Sequence, residues 1–424
     1  MRTFILIWFG QLISTVGSYM TYFALILWAW QLTGSATALA LVGFFFQVPQ
    51  IPITLIAGLI VDRVNRKTLM IFGDAIAALS TLGLGTLYLT DGLAIWHLYL
   101  FAAINGGFGQ IQQLAYQASV SLLVSEAQLI RANSMNAAVH YGSSILSPAL
   151  AGVLYPAIGL LGILGIDLVT FAGAIATLIF AIIPQPVHTD PEPKTLTHSL
   201  TFGFRYIWKQ PHLKALLLIT ALFWFFHDLG GAIYNPMLLA RSNGSAQVLA
   251  STGAAAGIGG VIGAIILTIW GGPKRRMQGI LIGFMGAGLA KTIFGFGRSL
   301  QVWIPGQFCS SLNFPLLNSS ETALWMENTA PEIQGRVFAA NSLVHKGLKA
   351  VASLIAGPLA DRIFEPLVQS KVVTGTIGPV FGTQPGAGIA LLYVLTSLAL
   401  IWVGIGGYCL PVLRQVGKTM PVTN

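Results

Sequence analysis

Long apolar runs, broken only by short polar turns, dominate the chain. They lie near 4–30, 36–61, 68–90, 94–124, 131–157, 160–183, 213–240, 246–271, 276–297, 301–328, 336–364 and 387–412. A helix needs about 20 predominantly apolar residues to cross the hydrocarbon core of a bilayer. The pattern therefore predicts twelve transmembrane helices in an all-α membrane protein. Each run must be helical, because lipid offers the backbone no hydrogen-bond partners. The longest interruption, Pro184 to Pro211, carries Pro-Gln-Pro and Asp190-Pro-Glu-Pro near the middle of the chain. Within it Leu196, Leu200, Phe204 and Ile207 recur at helical spacing, with Arg205 and Lys209 off that stripe. This predicts an amphipathic helix on the membrane surface, with an extended linker as the alternative. The expected organisation is an N-terminal six-helix lobe over 1–183, a linker over 184–212, and a C-terminal six-helix lobe over 213–424.

Composition supports this class. The 424 residues are 55% hydrophobic and only 8% charged, whereas soluble domains carry about 25% charged residues. So few charges cannot cover a soluble surface of this size. The net charge of +9 does not indicate nucleic acid, because its basic residues are spread over short loops and form no continuous patch. Fifteen Lys and Arg fall on one side of the predicted spans. Four (Arg241, Arg298, Arg362 and Lys371) fall on the other, and Lys291, Lys346 and Lys349 lie within spans. The positive-inside rule then puts both termini in the cytoplasm, as expected for a multi-pass protein of a bacterial inner membrane. The first run, Phe4 to Trp30, is too long for the apolar core of a cleaved signal and reads as a retained span. Cys309 and Cys409 are distant and intramembrane, with neither disulfide nor metal spacing.

The two halves echo each other in the same order. Arg131-Ala-Asn-Ser-Met opens span five, and Arg336-Val-Phe-Ala-Ala-Asn-Ser-Leu opens span eleven. The basic turn at Arg63 to Lys67 has a counterpart in Pro273-Lys-Arg-Arg276. Same-order repetition of six-span halves is the parallel repeat of one class of secondary transporters.

Between spans two and three the chain reads Gly58-Leu-Ile-Val-Asp62-Arg63-Val-Asn-Arg66-Lys67. This G-x-x-x-D-R-x-x-R-K spacing resembles the cytoplasmic loop 2–3 signature of the major facilitator superfamily. The resemblance extends over the chain through span count, central loop and repeat. It implies that the loop gates transport, with Asp62 capping or pairing with the inner end of span eleven in the outward-open state and Arg63, Arg66 and Lys67 supplying nearby ion pairs. A purely topogenic basic loop is the alternative, although Asp62 adds nothing to a positive-inside signal. Ser147-Pro148-Ala-Leu-Ala-Gly152 looks like a degenerate form of the glycine-proline signature of drug antiporters, with helix packing alone as the alternative. Gly10-Gln11-Leu-Ile-Ser-Thr-Val-Gly17-Ser, Thr33-Gly-Ser-Ala-Thr37, Ile166-Asp167-Leu-Val-Thr-Phe171 and Gly335-Arg336-Val-Phe338 resemble the macrolide-efflux and enterobactin-exporter branch of drug:proton antiporters. That likeness implies export by alternating access. One departure stands out. Many such exporters carry an arginine in span four, whereas this span is rich in amides and uncharged between Asn105 and Gln117.

Ionisable groups inside a membrane are functional candidates by default. Asp228 in span seven lies near mid-membrane, as do Lys346 and Lys349 in span eleven. The i, i+3 spacing of the lysines puts them on one face. They are candidates for proton coupling, for substrate anchoring or for a structural ion pair. Glu321 in span ten and His140 in span five are further candidates, whereas Asp74 and Asp167, nearer span ends, read as structural. Gln11, Ser14, Ser18 and Tyr22 form one stripe of span one, and Asn105, Gln112 and Tyr116 another in span four. They suit a wet cavity wall, or else polar packing between helices. Trp224 and Phe226 add aromatics in span seven. Aromatics beside amides suit an amphipathic small molecule, and no span carries the arginine cluster a sugar phosphate would want. No Walker loop, enzyme centre, metal set or cofactor motif is present in the sequence. The expected partners are the small-molecule substrate, protons and membrane lipids, with the chain a monomer. A lipid or lysolipid flippase is the alternative function, and a non-transporting receptor is a more distant one.

Overall fold

A computed structural model describes residues 1–125, 128–184, 196–370, 375 and 378–415. The side chains of 57–59, 62, 130, 140, 141, 196–200, 414 and 415 lie outside the described set. The described residues are helical, with no strand among them. The helices are α1 (Arg2–Thr33), α2 (Ala36–Gln47), α3 (Gln50–Arg63), α4 (Arg66–Leu89), α5 (Ile95–Leu123), α6 (Leu129–Phe180), α7 (Leu196–Lys209), α8 (Pro211–Arg241), α9 (Ala246–Trp270), α10 (Arg276–Phe296), α11 (Leu300–Leu312), α12 (Phe314–Glu327), α13 (Pro331–Leu359), α14 (Glu365–Gln369), α15 (Ala387–Cys409) and α16 (Pro411–Gln415).

Eight helical stretches among the described residues are long and apolar enough to cross a membrane. One of them, Arg131–Phe180 within α6, covers the fifth and sixth expected spans together. The break falls at Gly159, whose φ of 65° and ψ of −171° are not helical. Glycine pays no Cβ penalty there, and Pro156 removes a backbone donor just before it. The other expected spans are carried by α5, by α11 with α12, and by α13. These are the segments that hold the intramembrane amides, Glu321 and the lysine pair. The tenth expected span is divided at Asn313, between α11 and α12.

The chain divides into two compact units. The first comprises Met1–Glu192 with Leu238–Ala254, and the second Pro193–Met237 with Ala255–Asn424. In the first, α1 packs along α6 while α4 packs on both α5 and α6. Ile7, Met70, Ala115 and Leu178 form an apolar core at the junction. Gly152 of α6 meets Ala250 of α9 in the same unit, so span five packs closely on a neighbour. In the second unit α10 packs along α15, around a core that includes Phe223, Phe284, Leu317 and Trp325. Outward-facing apolar side chains such as Ile182, Ile269 and Phe180 are 83%, 83% and 79% exposed, as a lipid-facing belt requires.

Helix α7 occupies the stretch where the amphipathic pattern was read. Its inner face is Gly203 with the fully buried Ile207, set against Arg336 and Ala340 of α13. Phe204 and Trp208 are exposed, so Phe204 does not share the buried face with Ile207. Leu196 and Leu200 have side chains outside the described residues. A π-helical turn over Ala360–Phe364 follows α13. Beyond it Glu365 accepts backbone N–H groups from Gly386 at 2.8 Å and Gly388 at 2.9 Å. A carboxylate at the start of α15 is favoured by the unpaired N–H groups and dipole of that terminus.

Candidate functional site

Two polar centres lie in the first unit. The first is built on Asp74, about two turns into α4 and 5% exposed. Gln11 of α1 donates its amide N–H to Asp74 Oδ2 at 3.1 Å. Gln112 of α5 donates to Asp74 Oδ1 at 3.1 Å and to Gln11 Oε1 at 2.8 Å. The three residues close a ring across three helices. Gly73 permits this approach, because a Cβ there would stand 2.5 Å from Gln112 Cβ. All three lie about 12–16 Å along their helices from the ends expected to be cytoplasmic.

The second centre is Asp167 of α6, 1% exposed. Thr21 and Thr81 donate hydroxyls to its Oδ2 at 2.9 and 3.1 Å, and Ser18 to its Oδ1 at 3.4 Å. Three helices thus meet at one carboxylate. Each hydroxyl gives its single O–H to the carboxylate, so the bond to a carbonyl of its own helix is forgone while Asp167 accepts it.

The second unit holds an aromatic centre. Phe223 stacks on Phe284 with centroids 3.8 Å apart. The His227 ring lies 4.9 Å from Phe314 and 5.2 Å from Trp224. His345 of α13 lies 6.3 Å from Trp224. Trp224 donates its indole N–H to Glu321 Oε2 at 3.2 Å, and Glu321 is 8% exposed. Asp228 is half-buried about 26 Å along α8. Among the described residues the ion pair that closes within 4.0 Å is Arg276 with Glu327, and Asp228 forms none with Lys346 or Lys349. Lys349 is exposed and Lys346 half-buried. Lys291 is 7% exposed, with its ammonium 5.7 Å from the Tyr393 ring centroid.

The remaining sequence candidates are dispersed. Arg66 donates to the Ala118 carbonyl at 2.5 Å, and Lys67 to those of Ile179 and Ala181 at 2.8 and 2.9 Å. These cations hold helix ends, as the C-terminal dipole favours. Arg63 is exposed. The side chains of Gly58, Asp62 and His140 lie outside the described residues. Gln11, Gln112 and Ser18, expected on a cavity wall, are bonded to Asp74 and Asp167, and Tyr116 donates to Asn136 Oδ1 at 2.6 Å. Ser14 is buried, Tyr22 is exposed, and Asn105 Oδ1 is buried without a partner among the described residues. Phe226 is half-buried and packs on the core of the second unit. Sequence reasoning passed over Asp74, Lys291, His227, Phe314 and His345 as functional groups. For Asp74 and Lys291 the signal was present, as each is a charge inside an apolar run. No cluster of His, Cys, Asp and Glu suited to a metal occurs among the described residues.

Membrane-crossing helices that enclose carboxylates and aromatic rings define a multi-pass membrane protein with a polar interior. The sequence profile of the Major Facilitator Superfamily matches residues 7–348. The chain belongs to that superfamily and is a transporter rather than an enzyme. It is 27% identical over 368 residues to macrolide efflux protein A of Streptococcus pyogenes, covering 85% of this chain and 90% of the relative. It is 23% identical over 431 residues to the multidrug efflux pump Tap of Mycolicibacterium fortuitum, covering 97% and 96%. Among solved structures it shares the fold of an inward-facing bacterial homologue of the human lysosomal transporter Spinster, with TM-score 0.69, 14% identity and coverage of 100% and 99%.

Proposed function

We propose that the chain is a secondary active exporter of amphipathic small molecules, driven by proton entry through alternating access. It acts as a monomer in a bacterial inner membrane, with both termini in the cytoplasm. The relatives' names, macrolide and multidrug efflux proteins, support the direction and the substrate class. The observation that carries the reading is Asp228, a half-buried mid-helix carboxylate closed into no direct ion pair among the described residues. A carboxylate left open in this way can exchange a proton, whereas a sealed ion pair could not do so without first breaking.

The aromatic centre beside it suits the apolar body of a substrate. Trp224, His227, Phe314 and His345 supply flat faces, and Glu321, already held by Trp224, supplies a carboxylate. Amphipathic ligands bind where apolar walls carry a few placed polar groups. Lys346 is, with Lys349, the second ammonium on this face of α13, and His140 is a further titratable candidate. Gln11, Ser14, Ser18, Tyr22, Asn105, Gln112 and Tyr116 are the polar groups of the first unit that substrate or water would meet. Asp62, with Arg63, Arg66 and Lys67 after Gly58, is the gating set. Asp62→Asn removes a charge-assisted contact of about 1–3 kcal/mol, enough to shift a two-state population about 5- to 150-fold. Distances between spin labels on cytoplasmic helix ends would record that shift, and an unchanged distribution would remove the gating role.

Proteoliposomes with an imposed pH gradient test the function. Pumping of ethidium or of a macrolide against its gradient, collapsing with the pH gradient, is the expected result. Movement of a fluorescent lysolipid with no response to pH would favour a flippase instead.

A further inference from the structure

Asp74 is a carboxylate buried among helices of the first unit, and the groups acting on it are two amides. The titratable and charged groups on the neighbouring elements are otherwise placed. Helix α4 itself carries Arg66 and Lys67, which are bonded to the carbonyls of Ala118, Ile179 and Ala181. Helix α5 brings His97, bonded at its own helix start, and Tyr116, bonded to Asn136. Helix α6 brings Asp167, whose partner Thr81 stands seven residues beyond Asp74, about 10 Å along α4. Helix α1 brings Tyr19 and Tyr22, a further two to three turns from Gln11. His140 and Tyr141 of α6 have side chains outside the described residues. No charged group among the described residues forms an ion pair or hydrogen bond with Asp74, whose partners are the amides of Gln11 and Gln112. A buried charge without a counter-charge is costly, and a proton is the smallest ion that can remove that cost.

The ring of bonds also depends on the proton. An ionised carboxylate only accepts, and here Oδ1 and Oδ2 each accept one amide N–H. A carboxylic acid must donate from one oxygen. The group then needs an amide carbonyl in place of an amide N–H. Gln112 can supply one by turning its amide, which also withdraws the N–H now given to Gln11 Oε1. Taking up a proton from water onto one Oδ atom thus changes how α1, α4 and α5 are tied.

We propose that Asp74 is a proton-exchanging residue of the transport cycle, with Gln11 and Gln112 as positioning residues that convert its protonation into a change of linkage between α1, α4 and α5. This rests on the proton-antiport reading above and adds to it a site in the first unit.

Infrared difference spectroscopy on the full chain in lipid reads the site without any substrate. Stepping from mildly acid to mildly alkaline buffer should remove a protonated-carboxyl C=O band in the wild type, and Asp74→Asn should lack that component. Gln11→Met and Gln112→Met should each shift its frequency and its pH midpoint, which a merely structural role would not do. These two variants also carry the test if Asp74→Asn fails to fold. A second arm follows ethidium in vesicles, where Asp74→Asn should keep downhill exchange and lose pH-driven accumulation. A difference spectrum identical in wild type and Asp74→Asn, or one unmoved by both glutamine variants, overturns the assignment. Full pH-driven pumping by Asp74→Asn overturns it too, while leaving proton antiport standing. If the wild type shows no pH-driven pumping, the antiport reading falls, and the infrared band alone decides whether Asp74 exchanges a proton.

Discussion

Trp224 Nε1 donates to Glu321 Oε2 at 3.2 Å and so ties α8 to α12 within the second unit. The acceptor is a carboxylate only 8% exposed, and hydrogen bonds to charged groups are the stronger kind. Trp224→Phe keeps an aromatic ring but leaves Glu321 short of a donor. The expected cost is about 1–3 kcal/mol, seen as a lower unfolding temperature in detergent. Adding Glu321→Gln to the Trp224→Phe variant should restore much of that stability, because an amide tolerates the missing donor better than a carboxylate does. Loss of ethidium binding in Trp224→Phe, measured by fluorescence, would place the ring at the substrate as well.

Asp167 should matter more for folding than for coupling. Its two carboxylate oxygens accept hydroxyls from Ser18, Thr21 and Thr81. Asp167→Ala removes both acceptor oxygens and all three hydrogen bonds at once, and a loss of about 2–4 kcal/mol is expected from unsatisfied buried hydroxyls, tempered by their turning to carbonyls of their own helices. Asp167→Asn keeps one acceptor and should lose less. Thermal unfolding of both variants checks the order. An Ala variant as stable as the wild type would show that these contacts carry no net stability.

Gly73 sets the separation of α4 and α5. A Cβ at this position would lie 2.5 Å from Gln112 Cβ, closer than packed carbons approach. Gly73→Ala should therefore force α5 away, at about 1–3 kcal/mol by the usual cost of overpacking. It should also lengthen the Gln112–Asp74 bond. The measurement is a paired one, unfolding temperature together with the infrared band of Asp74. A drop in temperature with an unmoved band would separate packing from the amide ring.

Much of the helix layout was legible because apolar run length is a physical requirement of a bilayer. The break expected between 157 and 160 is the positive-φ Gly159, and the amphipathic stretch after residue 195 is α7. The interruption at Asn313 has a signal in the sequence, Pro315 two residues on, but one polar residue barely lowers the apolar count of a span, so run length alone passes over it. The site was legible only in part. Depth along a helix follows from residue number, so Asp228 and the lysines could be placed near mid-span. Helix rotation and neighbour choice do not follow from it. The bonds of Gln11 to Asp74 and of Gln112 to Asp74 span 63 and 38 positions and exist because α1, α4 and α5 meet. For the same reason the lysines Lys346 and Lys349, placed by depth alone beside Asp228, close no ion pair with it among the described residues.

The central claim is that Asp228 couples export to proton entry. The most direct measurement is ethidium pumping by purified protein in vesicles, driven by an imposed pH gradient, in wild type and in Asp228→Asn. A folded Asp228→Asn that binds ethidium and exchanges it downhill, yet no longer accumulates it when the pH gradient is applied, is the predicted result. Wild-type pumping with wild-type pH dependence in Asp228→Asn would contradict the account.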